Sequence, residues 1–331
     1  MKPVRWGVIG IGKHFIMRVL LPMKKSAMVE LYGVASRSME KAQRVSDTFG
    51  IPHCFPSYEA LLSDKTIEAV YIPLPNHIHL EWIKKAAYAE KHILCEKPLA
   101  LNTRDTREAI DYTKKKGVLL MEAFMYRFHP QWKRAAELAR TGNIGTVRAV
   151  HTFFSYHNTD PQNIRNIFEM GGGALYDIGC YAVSTARYMF EREPIRVMSL
   201  MNRDSSFKTD VLTSGVMDFG EGHAVFTVGT QLFPYQRVDI HGSSGRIQIR
   251  IPFNTFEDVP AKITVTTGVG SREIQFEPAD QYGLQFEEFS ETVRKGGPVP
   301  VPPEDALNNI AVIDALFRSE NSGNWENVRL S

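Results

Sequence analysis

Short apolar runs recur through the first third of the chain, each separated from the next by enough residues for one helix. Val4-Arg-Trp-Gly-Val-Ile9, Leu31 to Ala35, Ala69-Val-Tyr-Ile72, Ile93-Leu-Cys95 and Val118 to Met121 read as buried strands. Helices are expected between them: from the glycine turn toward Leu21, from Met39 to Phe49, from His77 to Ala89, and from Asn102 to Gly117. Asn102 with Asp105 spells an N-terminal cap, and Gly117 supplies the C-terminal stop. Strands alternating with helices over residues 4–121 predict a doubly wound parallel sheet.

After Pro130 the pattern changes. A helix over Gln131 to Arg140 precedes a strand at Val147 to Phe154, and a polar loop runs to Arg165. Gly171-Gly-Gly173 opens a helix of about seventeen residues, an ordinary length. Alternating runs follow at Val197–Met201, Val211–Phe219, Ala224–Leu232, Val238–His241, Arg246–Ile251 and Ile263–Thr267, with Phe219-Gly-Glu-Gly-His223 and His241-Gly-Ser-Ser-Gly-Arg246 as turns. Strands without intervening helices predict a mostly antiparallel open sheet. Helices at Gln281–Arg294 and about 303–320 close the chain. The expected division is an α/β nucleotide-binding domain over 1–125 and an α+β substrate and oligomerisation domain over 126–331, with the last helix packing on the first domain.

Gly10-Ile-Gly12 stands between a strand and a helix start, as a dinucleotide site requires: Gly10 permits the tight turn, and Gly12 lets backbone approach a pyrophosphate. A glycine pair there serves equally as an ordinary turn. The third position of the fingerprint is Phe15, a large ring where helix and strand pack closely. The next strand ends in Ser36-Arg37-Ser38, where an NAD site usually places a carboxylate for the ribose hydroxyls. Arginine matches a phosphate instead, which favours NADP over NAD; the plainer reading of Arg37 is a solvated helix start. Pro73-Leu74-Pro75-Asn76 ends a strand abruptly in a rigid loop. Lys97, in Glu96-Lys97-Pro98-Leu99, is kept out of the α region by Pro98 and sits at the carboxyl end of a strand, where ligands of such sheets bind. It reads as a fixed amine available for proton transfer.

Charge and cysteines narrow the classes. With 39 basic and 37 acidic residues the net charge is +2, which offers no electrostatic case for nucleic acid or membrane. No apolar run reaches a membrane span, and a strand from Val4 leaves no room for a signal peptide. Cys54, Cys95 and Cys180 lie far apart without a Cys-x-x-Cys pairing, as expected of reduced thiols in the cytoplasm. His77 and His79 are two apart and do not share a helix face, so no metal is expected.

Gly7-Val-Ile-Gly-Ile-Gly12, Ala35-Ser-Arg-Ser38, Pro75-Asn-His-Ile-His79, Lys91-His-Ile-Leu-Cys-Glu-Lys-Pro98 and Gly171-Gly-Gly-Ala-Leu-Tyr-Asp-Ile-Gly-Cys-Tyr181 together resemble the Gfo/Idh/MocA family of NAD(P)-dependent oxidoreductases. Leu120-Met-Glu-Ala-Phe-Met-Tyr-Arg-Phe-His-Pro130 resembles the branch of dimeric dihydrodiol dehydrogenases and NADP-dependent xylose dehydrogenases, and Gly12-Lys13 resembles glucose-fructose oxidoreductase. The resemblance implies a Rossmann domain and an open-sheet domain, with cofactor contacts from Gly10, Gly12, Lys13, Ser36, Arg37, Leu74, Pro75, Asn76, His79, Glu96, Lys97 and Arg165. His79 is expected to pack beneath the cofactor. It further implies hydride transfer to or from a carbinol carbon of a sugar, polyol or diol. Lys97 and Tyr181 would share the proton and Asp177 would orient the substrate hydroxyl, while Tyr126, Arg127 and Tyr282 are weaker pocket candidates. A homodimer or homotetramer is expected because the open sheet needs a cover. The competing readings are a redox-neutral glycoside-cleaving enzyme that retains its cofactor, and a non-catalytic NADP and sugar sensor.

Overall fold

The computed structural model describes residues 1–329. Its strands, in chain order, begin with β1 (Val4–Ile9), β2 (Val29–Ala35), β3 (His53–Phe55), β4 (Ala69–Ile72), β5 (His92–Cys95) and β6 (Leu120–Glu122). The helices of this region are α1 (Leu20–Lys25), α2 (Met39–Phe49), α3 (Tyr58–Ser63), α4 (His79–Tyr88) and α5 (Thr103–Lys116). Among the described residues the six strands form one parallel sheet in the order β3-β2-β1-β4-β5-β6. The chain builds outward from β1 to β3, then crosses back to β4. That reversal opens a crevice at the carboxyl ends of β1 and β4, where open α/β sheets bind ligands. Asn102 accepts the Asp105 backbone N–H at 2.8 Å, and Gly117 adopts the left-handed conformation at φ 68°, so both expected helix ends are present.

The second region holds α6 (Pro130–Arg140), β7 (Val147–His157), α7 (Cys180–Phe190), β8 (Arg196–Arg203), β9 (Asp210–Asp218), β10 (His223–Gly229) and β11 (Gln231–Gly242). It continues with β12 (Gly245–Ile249), β13 (Lys262–Thr267) and β14 (Gly270–Gln275). Then come α8 (Gln281–Lys295), α9 (Pro303–Ser322) and the short β15 (Glu326–Asn327). Nine described strands form a sheet ordered β14-β13-β12-β11-β7-β10-β9-β8-β15. Its pairs are antiparallel except β7 with β10. Val150, Phe154, Val228, Val238 and Ile240 are buried on one face, while Phe153, Met198, Leu200, Phe233 and Tyr235 are exposed. The run expected as one strand over Ala224–Leu232 divides at Thr230. Its amide is taken by Val211 O at 2.9 Å and its carbonyl by Asn158 N at 2.8 Å, so the ladder changes partners there.

The chain divides into two compact units. The first comprises Met1–Met125 with Tyr282–Leu307, and the second Tyr126–Gln281 with the chain from Asn308 on. It is therefore most of α8, and only the first turn of α9, that belongs with the parallel sheet. The physical reason is in α8 itself. Trp6 in β1 is fully buried, with its ring 5.0 Å from Phe286 and 5.5 Å from Phe289, and its indole N–H donates to Ser290 Oγ at 3.0 Å. At the helix end Arg294 holds both Glu68 oxygens, at 2.6 and 2.7 Å. The rest of α9 faces the second unit: Asn309 donates to Cys180 O at 3.2 Å and accepts from Arg187 at 3.2 Å.

Candidate active site

In the first unit, the crevice is shaped by glycine. Gly10 has φ +106°, and a β-carbon there would lie 2.7 Å from Leu74 Cδ2, so only glycine fits under the loop that follows β4. Around Gly12 a β-carbon would meet nothing within 4 Å: the space above it is open, as a pyrophosphate cradle needs. Lys13 beside it is exposed. Phe15 is accommodated because the helix begins as a π turn, Phe15–Val19; the ring is fully buried, its centroid 6.2 Å from that of Tyr71. At the end of β2, Ser36 is buried and its hydroxyl accepts the Ser38 amide at 3.3 Å, while Arg37 is exposed.

The turn that carries Lys97 is held from several sides. The Lys97–Pro98 peptide is cis. Glu96 accepts the Lys97 backbone N–H at 3.3 Å and the Tyr71 hydroxyl at 2.5 Å, and lies 3.8 Å from His14 Nε2. Burial, with the Glu96 charge beside it, pushes the Tyr71 phenol well up, so it stays a donor. Glu122, buried at the end of β6, accepts the Leu99 amide at 2.7 Å. His79 is fully buried, with Nδ1 2.9 Å from Pro98 O and Nε2 2.8 Å from Leu74 O. Burial lowers its pKa, opposed by those carbonyls and by Glu96. The imidazole thus ties the Leu74-Pro75-Asn76 loop to the Lys97 turn from beneath, and its burial keeps it from touching a ligand in the crevice. Pro75 and Asn76 at the loop's tip are half-buried, as is Lys97. Tyr282 also belongs to this unit: it is buried, its ring 5.6 Å from His14.

The second unit assembles a different kind of cluster. The helix after the glycine triplet opens as a π turn, Leu175–Gly179, and continues into α7, carrying Asp177 and Tyr181 four residues apart on one face. Asp177 Oδ2 accepts the Tyr156 hydroxyl at 2.6 Å and Arg165 Nε at 2.9 Å, and its side chain is 13% exposed. The Asp177 carboxylate is the main cause holding the Arg165 guanidinium above its ordinary pKa, against its desolvation; Tyr156 and Tyr181 add to it. Tyr156 itself is pushed up by burial and by Asp177, and stays protonated. The triplet is glycine for a steric reason. A β-carbon on Gly172 would come 2.5 Å from the Arg165 carbonyl oxygen, and one on Gly173 would collide with Asp210 Oδ1. Gly173 N donates to Arg165 O at 2.9 Å, so the loop bearing Arg165 lies directly on the triplet. Asp210, the buried first residue of β9, accepts Leu175 N at 2.8 Å and Thr213 Oγ1 at 2.6 Å, capping the helix start; burial raises its pKa against those bonds.

Tyr181 is buried with its ring 5.0 Å from Phe253 and 5.9 Å from Phe154. Tyr126, expected in the substrate pocket, is instead fully buried in this aromatic cluster, 5.0 Å from Trp132, with its hydroxyl 2.8 Å from Ser184 Oγ. Arg127 donates to the same Ser184 at 3.0 Å and lies over Tyr188 at 4.8 Å, a packing arrangement. No spacing rule marks Glu122, Tyr156 or Asp210, whose bonds to Leu99, Asp177 and Leu175 span 23, 21 and 35 positions. None of the three cysteines forms a disulfide, and no group of three metal-binding side chains occurs among the described residues. Among those residues no helix is long and apolar enough to cross a membrane.

Comparison with known proteins bears on both units. Residues 4–124 match the family model of the Gfo/Idh/MocA oxidoreductases, NAD-binding Rossmann fold, and residues 132–248 match the Gfo/Idh/MocA C-terminal domain. The chain is 40% identical to an uncharacterized oxidoreductase of Rhizobium meliloti over 99% of its length and 100% of the relative's. It is 36% identical to a D-xylose 1-dehydrogenase (NADP+) of Haloferax volcanii over 96% of both chains. Among solved structures, a 3-ketoreductase from Actinomadura kijaniata in complex with NADP and TDP-benzene superposes with a TM-score of 0.89 at 27% identity, covering 96% of this chain and 98% of that one.

Proposed function

Since this chain belongs to the Gfo/Idh/MocA oxidoreductase family, we propose that it is an NADP-dependent oxidoreductase acting on a carbinol or carbonyl carbon of a sugar, polyol or related diol. The observation that carries this reading is the turn after β5, where Glu96, Glu122 and His79 fix the backbone on either side of a half-buried lysine. That much structure around a surface amine is a cost without function. The open space over Gly12 and the exposed guanidinium of Arg37 fit the phosphates of NADP, and the NADP-linked relatives point the same way.

When bound, NADP supplies the hydride acceptor or donor. Gly10, Gly12 and Lys13 receive its pyrophosphate, Ser36 and Arg37 its adenosine end, and Leu74, Pro75 and Asn76 line the crevice. Lys97 accepts the proton of the substrate hydroxyl in oxidation and returns it in reduction, and Tyr181 is the second candidate for that proton. Asp177, already compensated by Arg165 and Tyr156, is the candidate for orienting a substrate hydroxyl. A general acid–base of this kind contributes about 10²–10⁴ in rate. Cysteines that form no disulfide support the reading of a cytoplasmic protein. The exposed apolar side of the nine-stranded sheet, with Phe153, Met198, Leu200 and Tyr235 around the paired Arg237 and Asp239, suits a second copy of the chain.

The test is nicotinamide absorbance with NADP and with NAD against aldoses, polyols, ketosugars and vicinal diols, with sedimentation to count subunits. Turnover with NADP and a hydroxylated substrate supports the reading. Absence of turnover across the panel, with NADP retained through purification, would replace it with the redox-neutral or sensor alternatives.

A further inference from the structure

Between β12 and β13 the chain leaves the sheet, and residues 250–261 form no strand. The first part of this connection is nevertheless held from two sides. Three consecutive carbonyls each accept a side-chain donor: Ile251 O from Gln131 Nε2 at 2.9 Å, Pro252 O from Trp132 Nε1 at 2.6 Å, and Phe253 O from Gln281 Nε2 at 2.6 Å. From the other side Gln236 Oε1 accepts two consecutive amides, Phe253 N and Asn254 N, both at 3.0 Å. Gln131, Trp132 and Gln281 are buried, and Gln236 stands opposite Phe154 where β11 pairs with β7. A connection without ladder bonds thus has its backbone fixed by four side chains, from α6, β11 and the start of α8.

The side chain held by this clamp is Phe253. Its ring is fully buried and forms the hub of the aromatic cluster: 5.0 Å from Tyr181, 5.0 Å from Phe154, 5.6 Å from Tyr126 and 6.2 Å from Trp132. Phe154 and Tyr126 each stand 5.9 Å from Tyr181, so Phe253 is the nearer ring. Aromatic pairs at these separations hold one another by buried area and by ring geometry. One helical turn before Tyr181 stands Asp177, fixed by Tyr156 and Arg165. Polar partners therefore fix Asp177, and rings fix Tyr181. A phenol is a long lever, and displacing a reacting group by about 1 Å can cost on the order of a hundredfold in rate. We infer that Phe253, its backbone held by Gln236 and Gln281, is a positioning residue for Tyr181: it fixes the phenol in the orientation the reaction uses and itself touches no reactant. The inference rests on the part in the reaction proposed above for Tyr181.

Phe253→Leu keeps the position apolar and removes the ring. Gln236→Leu leaves the ring and removes the acceptor of both amides, while Gln236→Glu keeps an acceptor there. With the best substrate of the panel, Phe253→Leu should lower kcat by about tenfold to a hundredfold, with KM and the calorimetric NADP affinity within about twofold of wild type. Gln236→Leu should lower kcat by a smaller factor, and Gln236→Glu should keep it. In a Tyr181→Phe background Phe253→Leu should cost nothing further, because its effect passes through the phenol. A second readout needs no turnover: in the full chain labelled with carbon-13 at tyrosine Cζ, the signal that Tyr181→Phe removes should broaden or shift in Phe253→Leu and in Gln236→Leu. Losses of kcat that multiply in the double variant, or a Tyr181 signal that neither substitution moves, overturn the positioning role. Full turnover in Tyr181→Phe alone would instead overturn the part given to that phenol, and the inference with it, which separates the two failures.

Discussion

The two units prepare for a ligand in opposite ways. In the first, the groups that face the crevice are left open: nothing stands over Gly12, and Arg37 has no ionic partner among the described residues. What is heavily tied there lies beneath, in His79, Glu96 and Glu122, which hold backbone rather than side chains that a ligand would meet. In the second unit the candidate carboxylate is already paired. Asp177 is bound by Tyr156 and Arg165, on a helix start that Asp210 caps and a glycine triplet lets the Arg165 loop touch. One unit offers open groups to an anionic cofactor. The other holds a preassembled polar network, the kind of arrangement by which electrostatic preorganisation avoids reorganisation during reaction.

The contrast can be broken most sharply at Asp177. Asp177→Asn should lower kcat about a hundredfold, within the range for losing an oriented group of an acid–base site, because the Arg165 cation is left uncompensated. NADP affinity measured by calorimetry should stay near wild type. A variant that lost cofactor binding instead would erase the distinction between the units.

The glycines sharpen the contrast. Gly12→Ala should leave the melting temperature unchanged, since its β-carbon enters open space, yet weaken NADP by about tenfold by intruding on the pyrophosphate cradle. Gly172→Ala should do the reverse. Its β-carbon must displace the Arg165 carbonyl, at a cost of about 1–3 kcal/mol in denaturant unfolding, with NADP affinity kept.

Asp210→Asn probes the frame under the network. An amide cannot accept as strongly from both Leu175 N and Thr213, and loss of a cap of this type costs about 0.5–2 kcal/mol. Thermal melting would register it as a lowered midpoint.

The smallest effect expected is pH-dependent. His129 is buried at the start of α6 and accepts the Gln131 amide through Nδ1 at 3.1 Å, which requires the neutral ring. Burial lowers its pKa to about 4. The folded value lies below the unfolded one near 6.5, so the unfolded chain takes the proton first. The stability this group contributes is therefore full above about pH 6.5 and drains as the pH falls toward about 4, by on the order of 1–3 kcal/mol. Unfolding midpoints followed from pH 7 to pH 4 should decline less in His129→Asn than in the wild type.

How much of this is legible in the sequence follows the same division. The strands Val4–Ile9 and Ala69–Ile72 and the helix Met39–Phe49 stand where the apolar runs and caps place them, because local pattern and tertiary burial agree. Gly10, Gly12, Arg37 and Lys97 could be read as a cofactor site because backbone turns and strand ends leave marks in sequence order. The elements that escaped are short or polar: His53–Phe55 has three residues, and β14 is exposed along nearly all its length, so neither shows a period. Tyr156, Asp210 and Glu122 escaped for another reason, since their partners lie 21, 35 and 23 residues away and no spacing rule links them. Tyr126 shows the converse. A motif placed it near the site, but an aromatic in a cluster with Trp132 and Phe253 gains more from burial than from facing a pocket.

In the proposed reaction Lys97 moves the proton while the surrounding turn only holds it in place. Lys97→Met, assayed by nicotinamide absorbance with the best substrate of the panel and titrated with NADP by calorimetry, tests it directly. Turnover should fall by about a thousandfold or more, with NADP affinity within a few-fold of wild type. Turnover that survives the substitution would contradict it and pass the proton to Tyr181.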